Sequence, residues 1–185
     1  MAIAIFSWFA ISCLIRVRPE GLPAAAMNKL TQITPHFAVT GALQPADFAS
    51  IAAAGFKSVL SNLPDGESVA HPTSRQEADL AAAAGLGFRH IPTTKADLFT
   101  SRVVDGVGAA LRELPGPVLA HCASGMRSAV AWATAAARVQ PVDAVLETVK
   151  AAGFNLDAVR DELASLRDPA HAGPIPPALD ARHDA

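Results

Sequence analysis

Between residues 37 and 166, apolar positions come in blocks whose spacing switches repeatedly between strand and helix. Phe37-Ala38-Val39 predicts a short strand, closed by Gly41. Gln44-Pro45 opens a helix with proline at a permitted first position. That helix runs to about Ala54 and stops at Gly55. Residues 56–63 (FKSVLSNL) read as a buried strand ended by Pro64-Asp65-Gly66. Ser74 followed by Glu77 has the form of a capping box, and the Ala-rich helix it starts ends at Gly85. Residues 88–92 (FRHIP) predict another strand. A helix follows from about Ser101, with Val103, Val104, Val107, Leu111 and Leu114 at helical spacing. Pro115-Gly116-Pro117 ends it, and Val118-Leu119-Ala120 is a short apolar strand.

The loop over residues 121–127 leads into a helix through Val139, stopped near Pro141. Ala129, Val130, Trp132, Ala133, Ala136 and Ala137 make that helix apolar on most sides, the mark of a central, covered element. Two amphipathic helices follow. One carries Val142, Val145, Leu146 and Val149, the other Leu156, Val159, Leu163 and Leu166. Strands alternating with helices predict an α/β fold with a mainly parallel central sheet flanked by helices. Ligands of such sheets bind at the carboxyl ends of the strands.

The ends differ from this middle. Residues 1–15 carry no charge, are short for a membrane span and lack the positive start of a secretory signal. Residues 1–26 therefore read as an apolar leader or a mis-assigned start ahead of Met27, with a membrane anchor over 1–15 as the alternative and a cytoplasmic location expected. The domain is placed at residues 27–167. Residues 168–185, with Pro169, Gly173, Pro174, Pro176 and Pro177, read as a Pro-rich tail without packed structure. Composition narrows the function. Net charge is −2 and aromatic residues are few, which argues against a nucleic-acid partner. The only cysteines are Cys13 and Cys122, so a disulfide framework and a four-thiolate zinc site are excluded. No metal-ligand cluster or Gly-rich nucleotide motif is visible, and no cofactor is expected.

The chemistry gathers in His121-Cys122-Ala123-Ser124-Gly125-Met126-Arg127-Ser128, between a buried strand and a buried helix. A helix N-terminus offers free N–H groups and partial positive charge, which together bind anions. The same field favours the thiolate of Cys122, the nucleophilic form. Gly125 permits a bend that other residues resist. Arg127 can fork two hydrogen bonds to an oxyanion. Ser128 can donate to Cys122 when the thiolate leaves, with helix capping as its competing role. His121 can orient the loop or serve a structural role.

This string resembles the phosphate-binding loop of cysteine-dependent phosphatases, with one residue fewer between cysteine and arginine. Ala123, Ser124, Gly125 and Met126 give the spacing seen in many rhodanese-type sulfurtransferases. Residues 30–41, Ala54-Gly55-Phe56, residues 62–67 (NLPDGE), His90-Ile91-Pro92 and residues 116–128, in this order, resemble the phosphatase-like domain of the beta-lactamase hydrolase-like protein family. The resemblance covers roughly residues 27–166 and implies a dual-specificity-phosphatase-like fold with a shortened Cys-to-Arg loop.

The phosphatase reading needs a general acid. Asp97, between the strand near Pro92 and the next helix, is one candidate, and Asp65 in the Pro64-Asp65-Gly66 turn is the other. Each also suits an ordinary turn role. His90 reads as a structural histidine. Residues 66–72 and 93–100 are expected to form the rim. The expected activity is a phosphatase-like hydrolase with a covalent cysteinyl intermediate. The alternative is a sulfurtransferase carrying a persulfide on Cys122. A non-catalytic anion-binding module is weaker, because anion binding alone does not require Cys122. The expected substrate is a small anion or a phosphorylated protein side chain.

Overall fold

The protein is described by a computed structural model over residues 30–168 and 174–181. The apolar leader and Cys13 lie outside the described residues. A five-stranded sheet is built from β1 (Thr31–Thr34), β2 (Phe37–Thr40), β3 (Ser58–Ser61), β4 (Gly87–His90) and β5 (Val118–His121). The strand order is β1-β2-β5-β3-β4. Only β1 runs antiparallel to its neighbour; β2, β5, β3 and β4 are parallel. The mainly parallel sheet is as expected, while β1 is an addition. Its Gln32 is exposed and its Ile33 and Thr34 buried, too short a run to register as a strand.

Side-chain alternation divides the sheet into two faces. Ala38, Val59 and Leu119 pack with Phe48 and Ile51 of α1 (Asp47–Ala53) and Ala81 of α2 (Ser74–Ala83). Phe37, Val39, Leu60, Val118 and Ala120 face the larger core. That core is completed by α3 (Ser101–Glu113), α4 (Met126–Ala137), α5 (Val142–Ala151) and α6 (Arg160–Ser165). Ten residues of α4, from Ser128 through Ala137, are buried. The all-round apolar pattern of that helix therefore means what it does elsewhere: a central element covered on every side. None of the helices among the described residues is long and apolar enough to cross a membrane.

Three local expectations shift. The helix expected from Gln44-Pro45 starts only at Asp47, whose Oδ2 accepts from the Gln44 N–H at 2.7 Å. The helix expected through Leu156 and Leu166 splits into a 3₁₀ turn (Asp157–Val159) and the short α6. The capping box of α2 belongs to Thr73 and Gln76, one residue earlier than Ser74 and Glu77. The Gln76 side chain accepts from the Thr73 N–H at 2.8 Å, while Thr73 Oγ1 accepts from the Gln76 N–H at 3.4 Å. Glu77 is thereby released from the helix end and is turned inward, only 2% exposed.

The Pro-rich end also differs from its reading. Residues 174–181 pack against the larger core through a 3₁₀ turn (Pro177–Leu179), burying Ala178, Leu179 and Ala181. Buried Trp132 needs an acceptor for its indole N–H, and Ala178 O supplies it at 2.7 Å. Thr148 Oγ1 donates to Ala181 O, Ala181 N donates to Gln140 Oε1, each at 2.9 Å, and Gln140 Nε2 donates to Leu179 O. Proline density prevents regular elements here but leaves carbonyls free to accept.

Candidate active site

β5 lies at the centre of the sheet, flanked by β2 and β3, so its carboxyl end opens where the parallel strands converge. Thr40, Ser61 and His121 end their strands in register. The chain then turns through Cys122 to Gly125 and enters α4. Cys122 is fully buried. Gly125 adopts φ +89°, left-handed backbone that side chains resist, and a Cβ there would stand 3.4 Å from Thr40 O. That bend aims the Gly125 N–H at Cys122 Sγ, 3.2 Å away. No side chain caps the start of α4. Its first N–H groups are thus unclaimed by any cap and lie beside the loop.

Arg127 sits in the first turn of α4, half-buried. Its Nη1 donates to Glu67 Oε2 at 2.8 Å and to Thr93 O at 2.7 Å, and its Nη2 pairs with Glu67 Oε1. The Glu67 hydrogen bonds hold the Arg127 proton more firmly than in an ordinary arginine; burial works against this, and the neighbouring Cys122 sulfur adds to it. The structure therefore brings Cys122, Gly125 and Arg127 together. Ala123, Ser124 and Met126 form the exposed lip of the loop. The Ser128 hydroxyl is buried and makes no hydrogen bond.

The two candidate acids are held elsewhere. Asp65 caps α2 from outside: its Oδ1 accepts from Ser74 N at 2.6 Å and its Oδ2 from Ser74 Oγ at 2.7 Å. These bonds, the hydroxyl first, hold its carboxyl below the ordinary aspartate value. Asp97 Oδ1 accepts from Thr94 N at 2.6 Å and Thr94 Oγ1 at 3.1 Å, and Oδ2 pairs with Arg102. Burial of Asp97 opposes ionisation, but Thr94 and Arg102 outweigh it and the net shift is downward. Asp97 lies within the rim segment 93–100 and Asp65 immediately before the rim segment 66–72, and both segments reach Arg127, the first through Thr93 and the second through Glu67. His90 Nε2 contacts Leu63 O at 2.9 Å, the structural role expected of it.

His121 is fully buried, with Nε2 3.2 Å from Glu77 Oε1. Glu67 and Thr93 were expected only as members of the rim segments, with no role of their own, and Glu77 was not expected at the site. Glu67 carried no signal beyond its place in the NLPDGE turn. Glu77 was masked by the apparent capping box, and Thr93 acts through its backbone carbonyl, which no side-chain motif reveals. Among the described residues no cluster of three or more His, Cys, Asp or Glu is arranged to hold a metal ion.

The fold is that of the dual-specificity class of cysteine phosphatases. The kinase associated phosphatase, studied with its catalytic site cysteine replaced by serine, superposes with TM-score 0.54 at 13% identity, covering 80% of this chain and 96% of its own. A candidate phosphatase from Neisseria meningitidis Z2491 superposes with TM-score 0.63 at 32% identity, covering 74% of this chain and 97% of its own. The chain belongs to the family of the beta-lactamase hydrolase-like protein, phosphatase-like domain, which it matches over residues 29–139. The beta-lactamase hydrolase-like protein of Agrobacterium fabrum is 33% identical over 133 residues, 70% of this chain. That match spans only 30% of the Agrobacterium protein.

Proposed function

We propose that this domain hydrolyses phosphate monoesters through Cys122, acting on a small anionic substrate or a phosphorylated protein side chain. The observation that carries the reading is the Gly125 N–H on Cys122 Sγ, beside Arg127 and at the start of α4. This is the environment in which a sulfur is useful as an anion. The Cys122 thiolate attacks phosphorus while the bond to the ester oxygen breaks. Arg127 and the N–H groups of Ala123, Ser124, Gly125 and Met126 hold the non-reacting oxygens. A carboxylic acid protonates the leaving oxygen. Water then attacks phosphorus, the S–P bond breaks, and the water proton returns to the carboxylate as phosphate leaves. The Ser128 hydroxyl donates to the departing thiolate.

Asp97 is the proposed acid, since its connection already touches Arg127 through Thr93 O. Its present hydrogen bonds favour the charged form, so the role requires substrate to displace Arg102 from it. Asp65 is the second candidate, and its service to Ser74 favours a structural role.

The test is aryl phosphate hydrolysis by the full chain and by Cys122→Ser, with mass spectrometry of acid-trapped enzyme. A phosphoryl adduct on Cys122, absent from the serine variant, is expected. Equal hydrolysis by both proteins overturns the reading. A persulfide on Cys122 without a phosphoryl adduct replaces hydrolysis by sulfur transfer.

A further inference from the structure

Glu77 and His121 are buried ionisable groups at the carboxyl end of the sheet that the proposed hydrolysis leaves without a task. They are 2% and 0% exposed, and Glu77 Oε1 lies 3.2 Å from His121 Nε2. The contact lacks hydrogen-bond alignment, and both ring nitrogens of His121 are otherwise unpartnered. His121 points to the same face as Leu119, two residues earlier, which is the face covered by α1 and α2. Its register partner on β3 is Ser61, whose buried hydroxyl is also unpartnered.

Three other ionisable groups of the surrounding elements have contacts of their own. Asp47 of α1, itself buried, accepts from Gln44 N through Oδ2 while its Oδ1 has no partner, Arg127 of α4 is held by Glu67 and Thr93, and His90 of β4 contacts Leu63 O. Ser61 and Asn62, at the end of β3, carry no charge. Among the described residues, His121 is the ionic partner recorded for Glu77. A buried carboxylate beside a neutral imidazole would be an uncompensated charge out of water, which is strongly unfavourable. A proton on the imidazole removes that imbalance. It also places positive charge one residue from Cys122, with the negative charge on a different element.

We propose that Glu77 is a positioning residue whose carboxylate keeps His121 as an imidazolium and so favours the thiolate of Cys122. The inference rests on Cys122 being the nucleophile. It goes further in assigning a charge-setting pair to an α2 side chain outside the loop.

The experiment reads Cys122 directly, with no turnover required. The chain has no tyrosine and one other cysteine, so far-ultraviolet thiolate absorbance, minus that of Cys122→Ser, isolates Cys122. Glu77→Gln should move the appearance of the thiolate upward by about one pH unit. His121→Asn should move it similarly, and the double variant should add nothing. An unmoved curve in folded Glu77→Gln, or an equal further shift in the His121→Asn background, overturns the proposal. Nitrogen NMR of the unmodified protein supplies the second measurement should Glu77→Gln not fold. His121 should carry both ring protons at a pH where Cys122 is thiolate, and a neutral ring there overturns the proposal. A protein that shows the shift yet hydrolyses no aryl phosphate overturns the hydrolase reading alone.

Discussion

Replacing Gly125 by alanine tests the link between one backbone angle and the reactivity of one sulfur. At φ +89° an alanine has two options. It can stay in the left-handed region, which costs about 1–2 kcal/mol of stability for a residue bearing a Cβ. The added carbon meets Thr40 O at 3.4 Å, ordinary contact, so the strain comes from the backbone and not from crowding. Alternatively the residue relaxes to negative φ and swings its N–H away from Cys122 Sγ. That forfeits the hydrogen bond to the sulfur, worth about 1.5–3 kcal/mol if the acceptor is the thiolate of the proposed mechanism. Expressed as a rate, the second route costs about tenfold to a hundredfold in kcat/KM. Urea unfolding and aryl phosphate turnover, measured on the same preparations, separate the two routes. Gly125→Ala should lose at least about 1 kcal/mol through one route or the other. An alanine variant with undiminished stability and undiminished turnover refutes the reasoning, because the left-handed turn would then carry neither strain nor the N–H.

Three further outcomes are expected. Asp97→Asn should slow hydrolysis of an ester with a poor leaving group by about a hundredfold or more, and one with a good leaving group far less; equal slowing removes Asp97 from the acid role. Asp65 is held below the ordinary aspartate value by Ser74, so its contribution to stability is full above that value and fades as pH falls through its lowered folded-state value. Thermal unfolding of Asp65→Asn should therefore fall below that of the unaltered chain near neutrality and converge with it in strong acid, and a pH-independent gap would contradict the assignment. Trp132→Phe keeps an aromatic ring in place but leaves a void where the rest of the indole stood and strands the Ala178 carbonyl, and should cost at least about 1–3 kcal/mol in denaturant unfolding.

The parallel strands and the loop were legible because their signals are local. A short apolar run such as Val118-Leu119-Ala120 followed by a glycine-containing turn and an all-apolar helix has few other ways to fold. The loop showed itself through side-chain identity at Cys122 and Arg127. What stayed hidden depends on distant partners. Glu67 reaches Arg127 across 60 residues of chain, and its identity says nothing of that destination. Glu77 was disguised by a one-residue ambiguity, since Ser74/Glu77 and Thr73/Gln76 both satisfy the capping pattern, and tertiary packing chose between them. The Pro-rich end misled for a related reason. Its composition correctly denies long regular elements, but the acceptors wanted by Trp132, Gln140 and Thr148 are a property of the core and not of the tail.

Trp132 joins these two ends of the molecule. It is one of two tryptophans, the other being Trp8 outside the described residues, and the chain has no tyrosine. Its ring stacks on Phe37 at a centroid distance of 6.1 Å, while its N–H holds residues 174–181 in place. The same helix presents Arg127 in its first turn, five residues before Trp132. The fluorescence of a Trp8→Phe protein would thus be a built-in optical gauge. It would register release of residues 174–181, and would reveal whether filling the loop with an anion is felt at the middle of α4.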